Sequence, residues 1–120
     1  MKVVLTALGD NLQAEMDPHF GRARKFILCD TETGEWEMHD NTPNLQAAQG
    51  AGIQAAEAVA RLGAEAVISG HVGPKAFRVL NSSGIKMYLK EGGTIAEAIE
   101  AFKKGALPET GKADREGHWV

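Results

Sequence analysis

Two short stretches hold most of the side chains able to do chemistry. One is Ser69-Gly70-His71-Val72-Gly73-Pro74-Lys75; the other is His19-Phe20-Gly21-Arg22-Ala23-Arg24. The first follows a fully apolar run, Ala66-Val67-Ile68, and leads into a proline-opened helix. Proline suits a first helical position because the N–H it lacks has no helical partner there. Gly70 and Gly73 let the backbone turn tightly and a ligand approach closely. The amides and dipole at a helix start favour negative charge, and Lys75 adds a mobile cation. From the other stretch, Arg22 and Arg24 supply planar donors. His19 and His71 are able to ligate a metal or to donate to a sulfide or oxyanion. The pattern suits the holding of an anion. It matches neither G-x-x-x-x-G-K-[ST] nor G-x-G-x-x-G, so a plainer reading stands beside it. In that reading the glycines permit a turn, His19 and His71 anchor their loops, and Arg22 and Arg24 are solvated.

Other residues offer less. Cys29 is late in an apolar run and reads as a small buried residue. His39 and His118 lack partners at metal-ligand spacing, and Met16, Met38 and Met87 are scattered. Asp10, Asp17 and Asp30 suggest a two-metal nuclease, but the first strand carries no carboxylate to hold a metal rigidly. No nucleophile–base pair is legible, so the chain reads as a non-enzyme.

These residues need elements to position them. Val3 to Leu8 reads as a strand buried on both faces. Residues 9–23 form a long polar loop. Arg24 to Asp30 is a second strand, and Glu35 to His39 a half-exposed edge strand antiparallel to it. Residues 41–50 form a loop with Pro43, before a helix from Ala51 to Leu62. Gln54, Glu57 and Arg61 make its wet face; Ile53, Ala56, Val59 and Ala60 face inward. Ala66 to Ile68 is a buried parallel strand. Pro74 opens a helix with Phe77 and Leu80 inward, and Ile85 to Leu89 is the last strand. Thr94 and Glu97 form a capping box for a third helix, which buries Ile95, Ile99 and Phe102. Residues 106–120 read as a loose tail after a single domain of 1–105.

Right-handed crossovers and short connections give a five-stranded mixed sheet ordered 3-2-1-4-5, with the second strand antiparallel and about three helices. In that order the loops after the first and fourth strands diverge and open a crevice at a topological switch point. Both chemical stretches border it. Bulk properties narrow the partners. The chain has 120 residues, 43% of them hydrophobic, and a net charge of −3. That balance argues against nucleic acid or an anionic membrane as partner. One cysteine excludes an internal disulfide and fits a reduced compartment. With neither a signal peptide nor a run of about 20 apolar residues, the expectation is a cytoplasmic protein.

Asp17-Pro18-His19-Phe20-Gly21-Arg22-Ala23 resembles the "HFGRA" signature of the dinitrogenase iron–molybdenum cofactor biosynthesis family, the NifX-like proteins. Val67-Ile68-Ser69-Gly70-His71-Val72-Gly73-Pro74-Lys75-Ala76-Phe77, then Gly84-Ile85-Lys86-Met87-Tyr88, resembles its second signature. The similarity runs from about Met1 to Gly105. It implies a ribonuclease-H-like three-layer fold and the binding or carriage of a metal–sulfur cluster rather than catalysis. The short stand-alone form looks most like members associated with a molybdenum–copper sulfide cluster; an iron–molybdenum–sulfur cluster is the alternative. The resemblance also implies MinD-like ATPase partners with ferredoxin-type domains. The second functional reading is a regulatory module for such an ATPase, without a cluster. The chain itself is expected to be a monomer or weak dimer. The carry-over places the ligand near His19, Gly21, Arg22, Gly70, His71 and Gly73. Cys29 matches no signature position, so the expected binding is non-covalent, through arginine, lysine and backbone amides, and sensitive to salt.

Overall fold

The computed structural model describes residues 1–45 and 50–110. The strands are β1 (Lys2–Ala7), β2 (Lys25–Asp30), β3 (Trp36–Asp40), β4 (Ala66–Ser69), β5 (Lys86–Leu89) and β6 (Glu109–Thr110). The helices among the described residues are α1 (Thr42–Leu45), α2 (Ala51–Arg61), α3 (Pro74–Ser82) and α4 (Ile95–Lys103). One sheet runs β3-β2-β1-β4-β5-β6. β1, β4 and β5 are parallel; β2 is antiparallel to β1 and β3, and β6 to β5.

Side chains of β1 alternate between two apolar layers, as pleating requires. Val4 packs with Val67, Phe20, Phe26, Val59 and Leu80 under α2 and α3. Val3 and Leu5 pack with Ile27, Ile68, Ile95 and Ile99 under α4. Helices therefore cover both faces, the three-layer α/β fold that the resemblance implies. Val3 to Ala7 are all fully buried, because the central strand of a sheet covered on both sides has no wet face.

The sheet has six strands where five were expected, and four helices are described where about three were expected. β6 lies inside the supposed tail. Leu107 packs against the α4-side layer, and Leu89 donates its N–H to the Pro108 carbonyl at 3.1 Å. A two-residue strand has no periodicity to betray it. Residues 111–120 lie outside the described residues. α1 lies in the expected 41–50 loop, of which residues 46–49 are also not described. Pro43 presets φ for its first turn, and buried Asn41 fastens it by donating Nδ2–H to the Ala23 carbonyl at 2.6 Å. On α2 the inward residues are Ala55, Ala56 and Val59; Ile53 is only half-buried.

The polar stretch 9–23 is not a solvated loop. Met16, Phe20 and Ala23 are core residues. The segment folds back on β1 through an antiparallel Ala7–Met16 bridge, then runs parallel to the end of β4 through a His19–His71 bridge. Burying one Phe side chain is worth about 3 kcal/mol, enough to hold a charged loop against the sheet.

Candidate ligand site at the carboxyl end of the sheet

Buried hydroxyls anchor the site. Thr6 is next to last in β1 and Ser69 ends β4, both fully buried. Thr6 Oγ1 donates to the Asp17 carbonyl at 2.7 Å and lies 2.9 Å from Ser69 Oγ. Asp17 returns its N–H to the Thr6 carbonyl at 2.8 Å. Its carboxylate, nearly buried, accepts the His19 N–H at 3.0 Å. The Asp17-Pro18-His19 corner is thus held rigidly at the gap between β1 and β4. Sequence reading passed over this network. The signal for it was a hydroxyl near the end of each of two largely apolar strands.

Next along the chain, side chains alternate between core and surface. Phe20 is fully buried and stacks on Phe26 with ring centroids 5.6 Å apart; Ala23 is also fully buried. His19, Arg22 and Arg24 are exposed. The Phe20 N–H donates to the His71 carbonyl at 3.0 Å, which brings the two imidazoles to a centroid separation of 5.6 Å. His71 Nε2 also lies 3.6 Å from Glu91 Oε2, a neighbour on the β5–α4 connection absent from the expected site.

The loops do not diverge into a crevice. A Cβ on Gly70 would sit 2.8 Å from the Pro18 carbonyl oxygen, so Gly70 is required by loop-on-loop packing. A Cβ on Gly21 would sit 3.0 Å from Gly52 Cα, so Gly21 lets the loop approach the start of α2. Gly73 differs. Its φ of −72° is open to any residue, and a Cβ there would meet nothing within 4 Å. It stands at the N-cap of α3, where no side chain caps the helix and Pro74 fills the first turn. Beside this start are exposed Lys75 and the stitched imidazoles. The result is a stitched surface platform where the two loops meet. The exposed cations of the two stretches are Arg22, Arg24 and Lys75, and the first-turn amides of α3 have no side-chain cap. Among the described residues, no ion pair engages Arg22, Arg24 or Lys75. A groove of about 750 Å³ lies at the opposite end of β1, lined by Lys2, Leu28, Trp36, Arg61 and Leu62 among others.

Cys29 is remote from the platform. It is buried in the α4-side layer. Burial, and secondarily the charge of Asp30, push its thiol above the ordinary range. No group of three or more His, Cys, Asp or Glu suited to a metal ion occurs among the described residues. The imidazoles on this surface are His19 and His71.

The dinitrogenase iron-molybdenum cofactor family profile matches residues 1–105. The chain belongs to that family. The apo orange protein of Desulfovibrio gigas has the same fold at TM-score 0.92 and 36% identity, over 95% of this chain and 96% of that one. A Thermotoga protein solved by NMR superposes at TM-score 0.84 with 38% identity, over 97% and 98%. An uncharacterized protein of Methanocaldococcus jannaschii is 36% identical over 95 residues, 77% of this chain and 80% of its own length. The family profile spans both chemical stretches. No helix among the described residues is long and apolar enough to cross a membrane.

Proposed function

We propose that this chain binds and carries an anionic metal–sulfur cluster, without catalysis, on the platform shared by the His19–Arg24 loop and the β4–α3 turn. The observation that carries the reading is the backbone bridge between His19 and His71. It brings two imidazoles together next to a helix start whose N-cap glycine leaves open space, and Arg22, Arg24 and Lys75 are exposed cations of the same two stretches. Membership of the family and the likeness to the orange protein support a molybdenum–copper sulfide as cargo. An iron–molybdenum–sulfur cluster is the alternative. A thiometallate disperses negative charge over sulfur. Arg22, Arg24, Lys75 and the uncapped amides suit such a charge without a thiolate ligand, and a delivering ATPase would meet these exposed groups first.

The test is reconstitution of the full chain with tetrathiomolybdate and copper, followed by gel filtration. Molybdenum and copper should co-elute with the protein and a visible chromophore. High salt should release them, because exposed charge is screened. Combining Arg22→Ala with Lys75→Ala should cut retention several-fold. Protein that emerges free of both metals under all salt conditions would overturn the reading.

A further inference from the structure

The sheet has two edges. β6 closes one with two residues, and β3 leaves the other open along five among the described residues. At the ends of the β2–β3 ladder, Asp30 donates its N–H to Glu35 at 2.9 Å and Asn41 donates to Arg24 at 2.8 Å. Both pairs keep the register of the strands between them. Bonded pairs alternate in an antiparallel ladder, so Glu35, Glu37, His39 and Asn41 turn their backbone groups toward β2. Trp36, Met38 and Asp40 point theirs outward. β3 has no proline, lysine or bulge of the kind that commonly blocks an edge.

Its side chains divide by face. Trp36 and Met38 lie opposite Cys29 and Ile27, on the α4 side, and remain 39% and 37% exposed. Glu37 and His39 lie opposite Leu28 and Phe26, on the α2 side, where His39 Nε2 pairs with Glu37 Oε2.

We infer that β3 is a self-pairing edge that joins two copies of this chain about a two-fold axis at Met38. In this antiparallel register Met38 meets the partner's Met38, and Trp36 meets the partner's Asp40. These are the positions whose N–H and C=O groups face outward, so the bonded pairs coincide with the open groups. Glu37 then lies opposite the partner's His39 in a closely spaced non-bonded pair, and the reverse pair repeats it. Moving the axis to Glu37 would set two carboxylates face to face, and moving it to His39 two imidazoles. The Glu37–His39 pairing, which only this register makes, therefore selects Met38. On the α4 side, Trp36 and Met38 of both copies form one apolar strip. The contact is isologous and closes after two chains. Five residues bury less than the roughly 1,200 Å² of a stable interface, so the dimer is concentration-dependent.

Sedimentation equilibrium of the full chain, from about 10 μM to about 1 mM, should show the mass rising from one chain toward two. His39→Glu sets like charges opposite each other twice and should raise the dissociation constant about tenfold or more. Adding Glu37→Lys restores opposite charges and should recover dimerisation. Met38→Pro removes an outward N–H that β2 does not use, and should leave a folded monomer by circular dichroism. A wild type that stays monomeric throughout, or a folded Met38→Pro that dimerises like wild type, would sink the proposal. So would a folded double variant no better than His39→Glu alone.

Discussion

Gly70 and Gly73 are alike in sequence and opposite in structure. Gly70 has no room for a side chain because the Pro18 backbone lies against it. Gly70→Ala should force the two loops apart and cost about 1–3 kcal/mol, read by chemical denaturation. Gly73 has open space and ordinary backbone angles. Gly73→Ala should cost less than about 1 kcal/mol, yet reduce cluster retention by placing a methyl group at the start of α3. Equal retention in Gly73→Ala and wild type would remove the helix start from the site. Cys29 gives a third expectation. Its thiol is buried and shifted upward, so it stays protonated at neutral pH. Cys29→Ala should bind molybdenum and copper as wild type does, at a stability cost of about 1 kcal/mol. A loss of both metals in that variant would point to thiolate ligation after all.

At the scale of elements, the β2–β3 hairpin carries a pH dependence. Asp30 accepts N–H bonds from Glu32 at 2.9 Å and Thr33 at 3.4 Å. The Glu32 bond is the main reason its carboxyl sits below the usual carboxylate range. A group whose folded pKa is depressed stabilises the fold above its unfolded pKa and loses that contribution as pH falls through the folded one. Asp30→Ala should therefore melt below wild type at pH 7, and the gap should narrow below about pH 3. Thermal melts at both values check it; a gap that widens in acid would contradict the assignment. The α4 start was fully legible beforehand. Thr94 Oγ1 accepts from the Glu97 N–H at 3.1 Å, and Glu97 Oε1 accepts from the Thr94 N–H at 2.8 Å. This motif is local, four residues long, and needs no distant partner. α1 and β6 were not legible, because each is too short to show a period and is held by Asn41 or Leu107 against remote chain.

For the whole molecule, Glu109–Thr110 complete the sheet beside β5. Truncation after Gly105 would uncover the edge of β5 and remove Leu107 from the α4-side layer. The shortened chain should lose about 1–2 kcal/mol of stability and turn turbid on concentration, as exposed edges invite pairing. Denaturation curves and light scattering against the full chain test this; identical curves would show that β6 contributes nothing.

Order and layering follow from the sequence alone. Apolar runs, proline- and glycine-marked ends and the capping box dictate which segments are strands or helices. Short right-handed connections then leave few ways to arrange them. The two chemical stretches and their neighbourhood were legible for the same reason, since each is tied to the end of a recognisable strand. What only the tertiary structure decided is how the loops meet. Thr6, Ser69 and Asp17 are far apart in sequence, and their buried hydrogen bonds turn an expected crevice into a stitched platform. Polar residues in a loop carry no period, and whether they face water or a buried hydroxyl depends on what the fold brings beside them.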